Sequence, residues 1–275
     1  MVTERKRDRK QRIFQRLLMT AAVAGLLLTV GAHAARRSVP VQVDADTLPV
    51  RGYVDSGVTY VPLRALLNGL DAGWRVWWDS SAGQAAADSE DDTLRADPAA
   101  DTLTVNSRTF HGRVTVENGV TYVPLRAVCE ALGCTVEWDA YLGGAAVTSP
   151  GAACNASELY WLAHIIYAES GAESMTGQIA VGNVILNRVA SPQFPDTVQA
   201  VIFDRKDAVQ FEPVGNGRIY QSPSETSVEA ARQALAGENI IGDALYFYAP
   251  ALSQGVWINA NCTSQQTIGC HRFYL

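Results

Sequence analysis

The chain has 275 residues, 48% hydrophobic and 18% charged, with 22 Lys+Arg against 28 Asp+Glu. That length suits one or two domains with a sizeable core, and the composition excludes wholesale disorder and fibrous repeats. A formal net charge of −6 argues against nucleic acid as a partner.

The charge is uneven along the chain. The first 34 residues hold seven basic and two acidic residues, and the remainder carries 15 basic against 26 acidic, a net −11. An apolar run from Leu17 to Val30 follows the basic start and leads into Ala32-His33-Ala34. These are the three parts of a secretory signal, expected over residues 1–34 with cleavage after Ala34. The run is shorter than the roughly 20 apolar residues of a bilayer span, and a retained anchor stays open as the alternative. A secreted, extracytoplasmic protein is expected. Cys129, Cys134, Cys154, Cys262 and Cys270 all lie beyond the signal, where disulfides can form. Their odd number leaves at least one unpaired within the chain. Cys262 and Cys270 flank a short polar loop and could staple it, while the favoured reading of the five is small buried apolar residues with at most one bridge. There is no CxxC and no HxxxH, so neither a metal nor a cofactor is expected.

An internal repeat comes next. Gly57-Val58-Thr59-Tyr60-Val61-Pro62-Leu63-Arg64-Ala65 recurs unchanged as Gly119 to Ala127, 62 positions later, and Trp78-Asp79 is matched by Trp138-Asp139. Each copy reads as a β-rich stretch that ends at a proline, a short helix, and a second strand. These residues resemble the stalk-like domain named after the N-terminal region of copper amine oxidases, whose mark is the V-P-L-R-A helix start with a later W-D. The resemblance covers about residues 38–150 and implies an α+β spacer or wall-binding module without copper. Arg64 and Arg126 are expected to brace the helix starts. Trp74, Trp77, Trp78 and Trp138 read as core or interface residues, with sugar stacking as the alternative. Ser149 to Ala152 marks a boundary too short to keep two domains apart.

From Asn155 the pattern turns helical. Asn155 with Glu158 has the form of a capping box that opens a helix through Leu159, Leu162, Ile165 and Ile166. Glu169 falls within that apolar stripe, four residues after Ile165, and Ser170-Gly171 ends the helix. A carboxyl there is desolvated and sits at the negative end of the helix dipole. Both effects favour the protonated form that a general acid needs.

Tyr167-Ala168-Glu169-Ser170-Gly171-Ala172-Glu173, the run from Thr176 to Val189, Gln210-Phe211-Glu212-Pro213, Ala244 to Pro250 and Ile268 to Phe273 closely resemble the SleB/CwlJ family of cell-wall hydrolases. The likeness spans residues 155–275. It implies an α+β fold overall, with a lysozyme-like, mainly helical catalytic domain that carries a small β element. It implies activity on peptidoglycan glycan strands, of spore cortex during germination or of vegetative wall, by lytic transglycosylation with Glu169 as the essential acid. One carboxylate suffices for that reaction. Glu173, one turn further on, keeps inverting hydrolysis open. A wall-binding protein with an inactive domain is the reading from another class.

Other residues are candidates for substrate contact. Tyr246 and Tyr248 alternate on an expected strand, and Gln178 is a polar residue within an apolar helix, as is Asn183. Gln210 and Phe211 precede the turn-rich Gly215-Asn216-Gly217, and His271 lies on the terminal strand. A helix opening at Ser222-Pro223-Ser224-Glu225 points Val228, Ala231 and Leu235 inward. A protein that restrains the enzyme is the further partner expected, and its identity is not legible.

Overall fold

The computed structural model describes residues 36–206 and 209–275. The signal expected over residues 1–34 lies outside the described residues. The first region runs β1 (Arg37–Val39), β2 (Val41–Val43), β3 (Asp46–Thr47), β4 (Gly52–Asp55), β5 (Val58–Pro62) and α1 (Leu63–Leu70). It continues through β6 (Arg75–Asp79), β7 (Gln84–Asp88), β8 (Thr93–Asp97), β9 (Thr102–Val105) and β10 (Arg108–His111). The second copy supplies β11 (Thr115–Glu117), β12 (Val120–Pro124), α2 (Leu125–Ala131), β13 (Thr135–Asp139) and β14 (Gly144–Thr148). The strands form three sheets, ordered β1-β4-β5-β12-β11, β10-β9-β8-β7-β6 and β13-β14-β2-β3.

The repeat explains the first sheet. β5 and β12 pair antiparallel with Val61 opposite Val123, the same residue of the two copies, so a pseudo-two-fold axis passes through that pair. Each copy reaches its central strand through a tight turn, Ser56-Gly57 or Asn118-Gly119, in which both residues have positive φ. Such a turn matches the twist of a hairpin and calls for glycine at its second position. Each proline then closes its strand and stands at the N-cap of the following helix. The helices bury Leu63, Leu66 and Leu67 in one copy and Leu125, Val128 and Cys129 in the other.

The two arginines brace their helices alike. Arg64 donates to the Val76 carbonyl at 2.9 Å and Arg126 to the Val136 carbonyl at 2.8 Å. In each W-D pair the aspartate receives backbone N–H groups two and three residues ahead and so folds the hairpin turn. The tryptophans do not share one surface. Trp74 is buried, Trp77 lies against the guanidinium groups of Arg75 and Arg95, and Trp78 and Trp138 are exposed.

The second region is built on α3 (Ala156–Ser170), α4 (Met175–Ala190), α5 (Val198–Ile202), α6 (Glu212–Asn216), a 3-10 turn at Arg218–Tyr220, α7 (Glu225–Leu235) and α8 (Val256–Asn261). A small sheet, ordered β15-β17-β16, comprises β15 (Tyr246–Tyr248), β16 (Ser264–Ile268) and β17 (His271–Tyr274). Asn155 caps α3 by accepting the Glu158 N–H, as its sequence indicates. Trp161, Leu162, Ile165 and Ile166 of α3 pack with Ile179 and Ile185 of α4 and Ala230, Ala231 and Ala234 of α7. On α7, Val228 and Leu235 are only partly buried. α8 buries none of its residues and has no apolar stripe to announce it.

The two regions meet directly. The Asp139 carboxylate, fixed by its own turn, accepts hydrogen bonds from the Ser157 hydroxyl and the Trp161 indole, both on α3. Tyr141 stacks on Phe203 with ring centroids 4.6 Å apart. The architecture is α+β throughout, as expected.

Cys262 and Cys270, the pair that could staple a loop, are not bonded, and all five cysteines are free. Cys262 precedes β16 and Cys270 follows it. Five extended residues at roughly 3.3 Å each hold the two thiols too far apart to bond.

Candidate active site

Glu169 projects from the last turn of α3, partly buried, with Gly171 as the helix C-cap. Loss of water around the carboxyl pushes its pKa up to about 7. Two charges act on it in opposite senses. The Arg218 guanidinium favours the ionised form, and the Glu212 carboxylate opposes it.

Both groups come from the segment packed beneath the helix end. Arg218 donates to the Ala168 carbonyl at 2.8 Å, next to Glu169 in the chain. Its backbone N–H is held by the Asn216 side chain, whose amide in turn donates to Glu212 at 3.3 Å. Sequence reading missed Arg218 and gave Glu212 no role. Arg218 reaches a backbone carbonyl 50 residues away, and no local periodicity encodes that contact.

Glu173 stands elsewhere. Its carboxylate accepts the Cys270 N–H at 3.3 Å and lies 3.9 Å from Nδ1 of His271. It ties the loop after α3 to the β16–β17 turn and is not among the charges that act on Glu169. The tight turn at Gly269 belongs to the same contact. Its φ is +56°, and a Cβ there would collide with the Glu173 carboxylate. His271 is buried against Phe247 and Phe273, and its Nδ1 has no hydrogen-bond partner. Burial holds its pKa low, with Glu173 opposing.

The buried amides face the interior. Gln178 accepts the Ser227 hydroxyl at 2.6 Å and donates to the Glu173 carbonyl at 3.0 Å. Asn183 donates to the Glu238 carbonyl and accepts the Ile240 N–H. Neither amide is left over for a sugar.

Gln210, Phe211 and Tyr246 are brought together around Arg188. The Arg188 guanidinium lies 5.3 Å from the Phe211 ring, 5.4 Å from Tyr246 and 4.8 Å from Phe194. It also donates to the Leu245 carbonyl at 2.8 Å and faces the Gln210 amide oxygen at 3.5 Å. Phe211 is buried there and serves the core. The half-buried ring of Tyr246 continues to the exposed Trp257, with centroids 5.7 Å apart. Tyr248 points to another neighbourhood, where its hydroxyl bonds Asn259 and its ring lies near Tyr274. His164 on α3 donates through Nδ1 to the Tyr160 carbonyl at 2.8 Å and packs on the Tyr160 ring. Among the described residues no group of three or more His, Cys, Asp or Glu could hold a metal ion.

Residues 172–274 match the family model described as Cell Wall Hydrolase, and residues 41–149 match that of the Copper amine oxidase N-terminal domain. Residues 172–274 are a cell wall hydrolase domain. The match begins just after Glu169, at the loop that carries Glu173. A spore cortex-lytic enzyme of Bacillus cereus is 40% identical over 102 residues, which cover 37% of this chain and 38% of that protein. One of Bacillus subtilis is 38% identical over 113 residues, covering 41% of this chain and 36% of the relative. The chain thus spans well under half the length of the curated relatives it matches. Among solved structures, the catalytic domain of the germination-specific lytic transglycosylase SleB from Bacillus anthracis is 36% identical. That alignment covers 45% of this chain and 98% of the other, with a TM-score of 0.41.

Proposed function

We propose that this protein is a peptidoglycan-degrading enzyme that cleaves MurNAc–GlcNAc β-1,4 bonds by lytic transglycosylation, with Glu169 as both acid and base. The carrying observation is a half-buried carboxyl at a helix end, its pKa raised to about 7 by burial. The protonated Glu169 gives its proton to the bridging oxygen as the bond to the anomeric carbon breaks. The resulting carboxylate takes the proton of the muramyl 6-hydroxyl, whose oxygen closes onto that carbon and leaves a 1,6-anhydro end. The nucleophile already belongs to the reacting sugar, so proximity stands in for a second activating group.

Arg218 stabilises the ionised Glu169 between the two proton transfers, and Glu212 keeps that state from becoming too stable. Tyr246 with Trp257 offers an aromatic surface for a sugar ring. The similarity to spore cortex-lytic enzymes supports cortex peptidoglycan as substrate, an extracytoplasmic site of action and a role in germination. The division into a signal (1–34), a two-copy stalk (38–150) and a catalytic domain (155–275) completes the reading.

Glu212 favours one alternative. It is the carboxylate that acts on Glu169, so a water-using muramidase would take Glu212, not Glu173, as its base. Mass spectrometry of fragments released from purified cortex peptidoglycan separates the two. Anhydro ends from the wild type and none from Glu169→Gln support the transglycosylase. Reducing ends that vanish in Glu212→Gln support hydrolysis.

A further inference from the structure

Arg188 is a buried cation that the chemistry at Glu169 does not use. It leaves the last turn of α4 and is only 6% exposed. Loss of water lowers its pKa to about 10, so it stays charged in neutral solution without the hydration that stabilises a charge. An arginine so placed is ordinarily paired with a carboxylate. Here the Tyr246 hydroxyl and the Asp204 carboxylate act on it from a distance, and among the described residues no carboxylate forms an ion pair with it. The rings of Phe194, Phe211 and Tyr246 offset part of that loss.

Its hydrogen bonding is incomplete as well. A guanidinium carries five N–H donors. Nε gives one to the Leu245 carbonyl, and Nη1 faces the Gln210 amide oxygen at 3.5 Å, a long contact for such a bond. Nη2 has no acceptor among the described residues and is not sealed from solvent. One edge of the fork braces the start of β15, and the other stays open. A planar pair of N–H groups of this kind matches the two oxygens of a carboxylate.

Two neighbours relate this open edge to the reaction. Tyr246 beside the guanidinium is also the ring that meets the exposed Trp257 in the aromatic surface offered to a sugar. Gln210 faces Arg188, while Glu212, two residues on, acts on Glu169. Between them Phe211 is extended, with φ −126° and ψ 121°, and turns its own ring into the core. An extended residue sends its two neighbours to the same side, with their Cα atoms at most about 7 Å apart. A ligand lying along that segment meets the guanidinium at one end and the acid at the other.

We propose that the open edge of Arg188 binds a carboxylate borne by a muramyl residue of the substrate, on its lactyl arm or on the peptide attached there, and so fixes which sugar lies across Glu169. The proposal rests on the glycan-strand reading of Glu169 and adds a selectivity to it. Arg188 holds the substrate and carries no proton.

The test measures binding to the full chain as Glu169→Gln, which holds glycan fragments without cutting them. The probes are purified peptidoglycan oligosaccharides with peptide arms intact, with all carboxylates converted to methylamides, or with peptides removed so that only lactyl carboxylates remain. The intact form should bind at least about tenfold more tightly than the methylamide form. In Glu169→Gln/Arg188→Gln that preference should vanish, while the methylamide form binds as before. Tight binding of the peptide-free form would assign the carboxylate to the lactyl arm, and weak binding would assign it to the peptide. Because Arg188 is buried, guanidinium NMR on Glu169→Gln supplies a readout that leaves it in place. Its Nη signals should shift with the intact form and stay unmoved with the methylamide form. Equal affinity for those two forms, a preference that survives Arg188→Gln, or unmoved Nη signals would each overturn the proposal and leave the glycan reading standing. Failure of every form to bind would overturn it too, and muropeptide release by the wild type then shows whether the glycan reading falls with it.

Discussion

Glu169 and Glu173 lie four residues apart in one short motif, yet the fold gives them opposite circumstances. Glu169 occupies the last turn of a helix, and loss of water raises its pKa to about 7, so a sizeable share stays protonated near neutral pH. Glu173 lies past the helix end and is held by a backbone N–H from the C-terminal hairpin. A carboxylate that receives a backbone donor is a fastener, whereas one that loses water without gaining a donor becomes an acid. The difference is made by what packs on each residue, not by the letters around them.

The largest effect that could break this comparison is on activity. Glu169→Gln should lower the rate of muropeptide release by about 10²–10⁴-fold, the usual worth of a positioned acid. Glu173→Gln should leave the rate within about an order of magnitude, a far smaller loss than that of a positioned acid. Equal losses would erase the distinction.

Stability sharpens it next. The carboxyl of Glu169 has a higher pKa folded than unfolded, so its contribution is fully present below about 4.5 and is lost as pH rises through about 7. Glu169→Gln should therefore be more stable than the wild type at pH 8, by up to about 3 kcal/mol. The gain should shrink toward zero at pH 4.5. Chemical denaturation at the two pH values checks this.

A smaller change is expected in the pH–rate profile. Removing the positive charge in Arg218→Gln should move the alkaline limb to higher pH, and Glu212→Gln should move it lower. A loss of activity with an unmoved limb would mean that Arg218 acts only by bracing the Ala168 carbonyl. The smallest effect belongs to the fastener. Glu173→Gln should cost about 1–2 kcal/mol of stability, read by denaturant midpoint, because it weakens a charge-assisted bond to Cys270.

What was legible in the sequence follows from the range of the interactions. The capped helix, its apolar stripe and the place of Glu169 on it are local and periodic, and each is visible in the residues from Asn155 to Gly171. The nine-residue repeat exposed two strand–helix units, and the arginine braces were foreseeable from it. The pairing of the copies about Val61 and Val123 was not, because register between distant strands leaves no mark in either one. Gln178 and Phe211 looked available because polarity and a nearby turn are local signals, while Ser227 and Arg188, which occupy them, are distant in the chain. Cys262 and Cys270, a possible staple by sequence, stay apart for the same reason. Closeness in sequence was read as closeness in space, and an intervening strand separates the two.

The central claim is that Glu169 is protonated near neutral pH because the fold removes its water. Titration of its side-chain carboxyl by carbon-13 NMR in the full chain, assigned with Glu169→Gln, measures that directly. A midpoint near 7, lower in Glu212→Gln and higher in Arg218→Gln, is the predicted result. A midpoint at or below the ordinary glutamate value of about 4.3 would contradict it and leave the helix end without its acid.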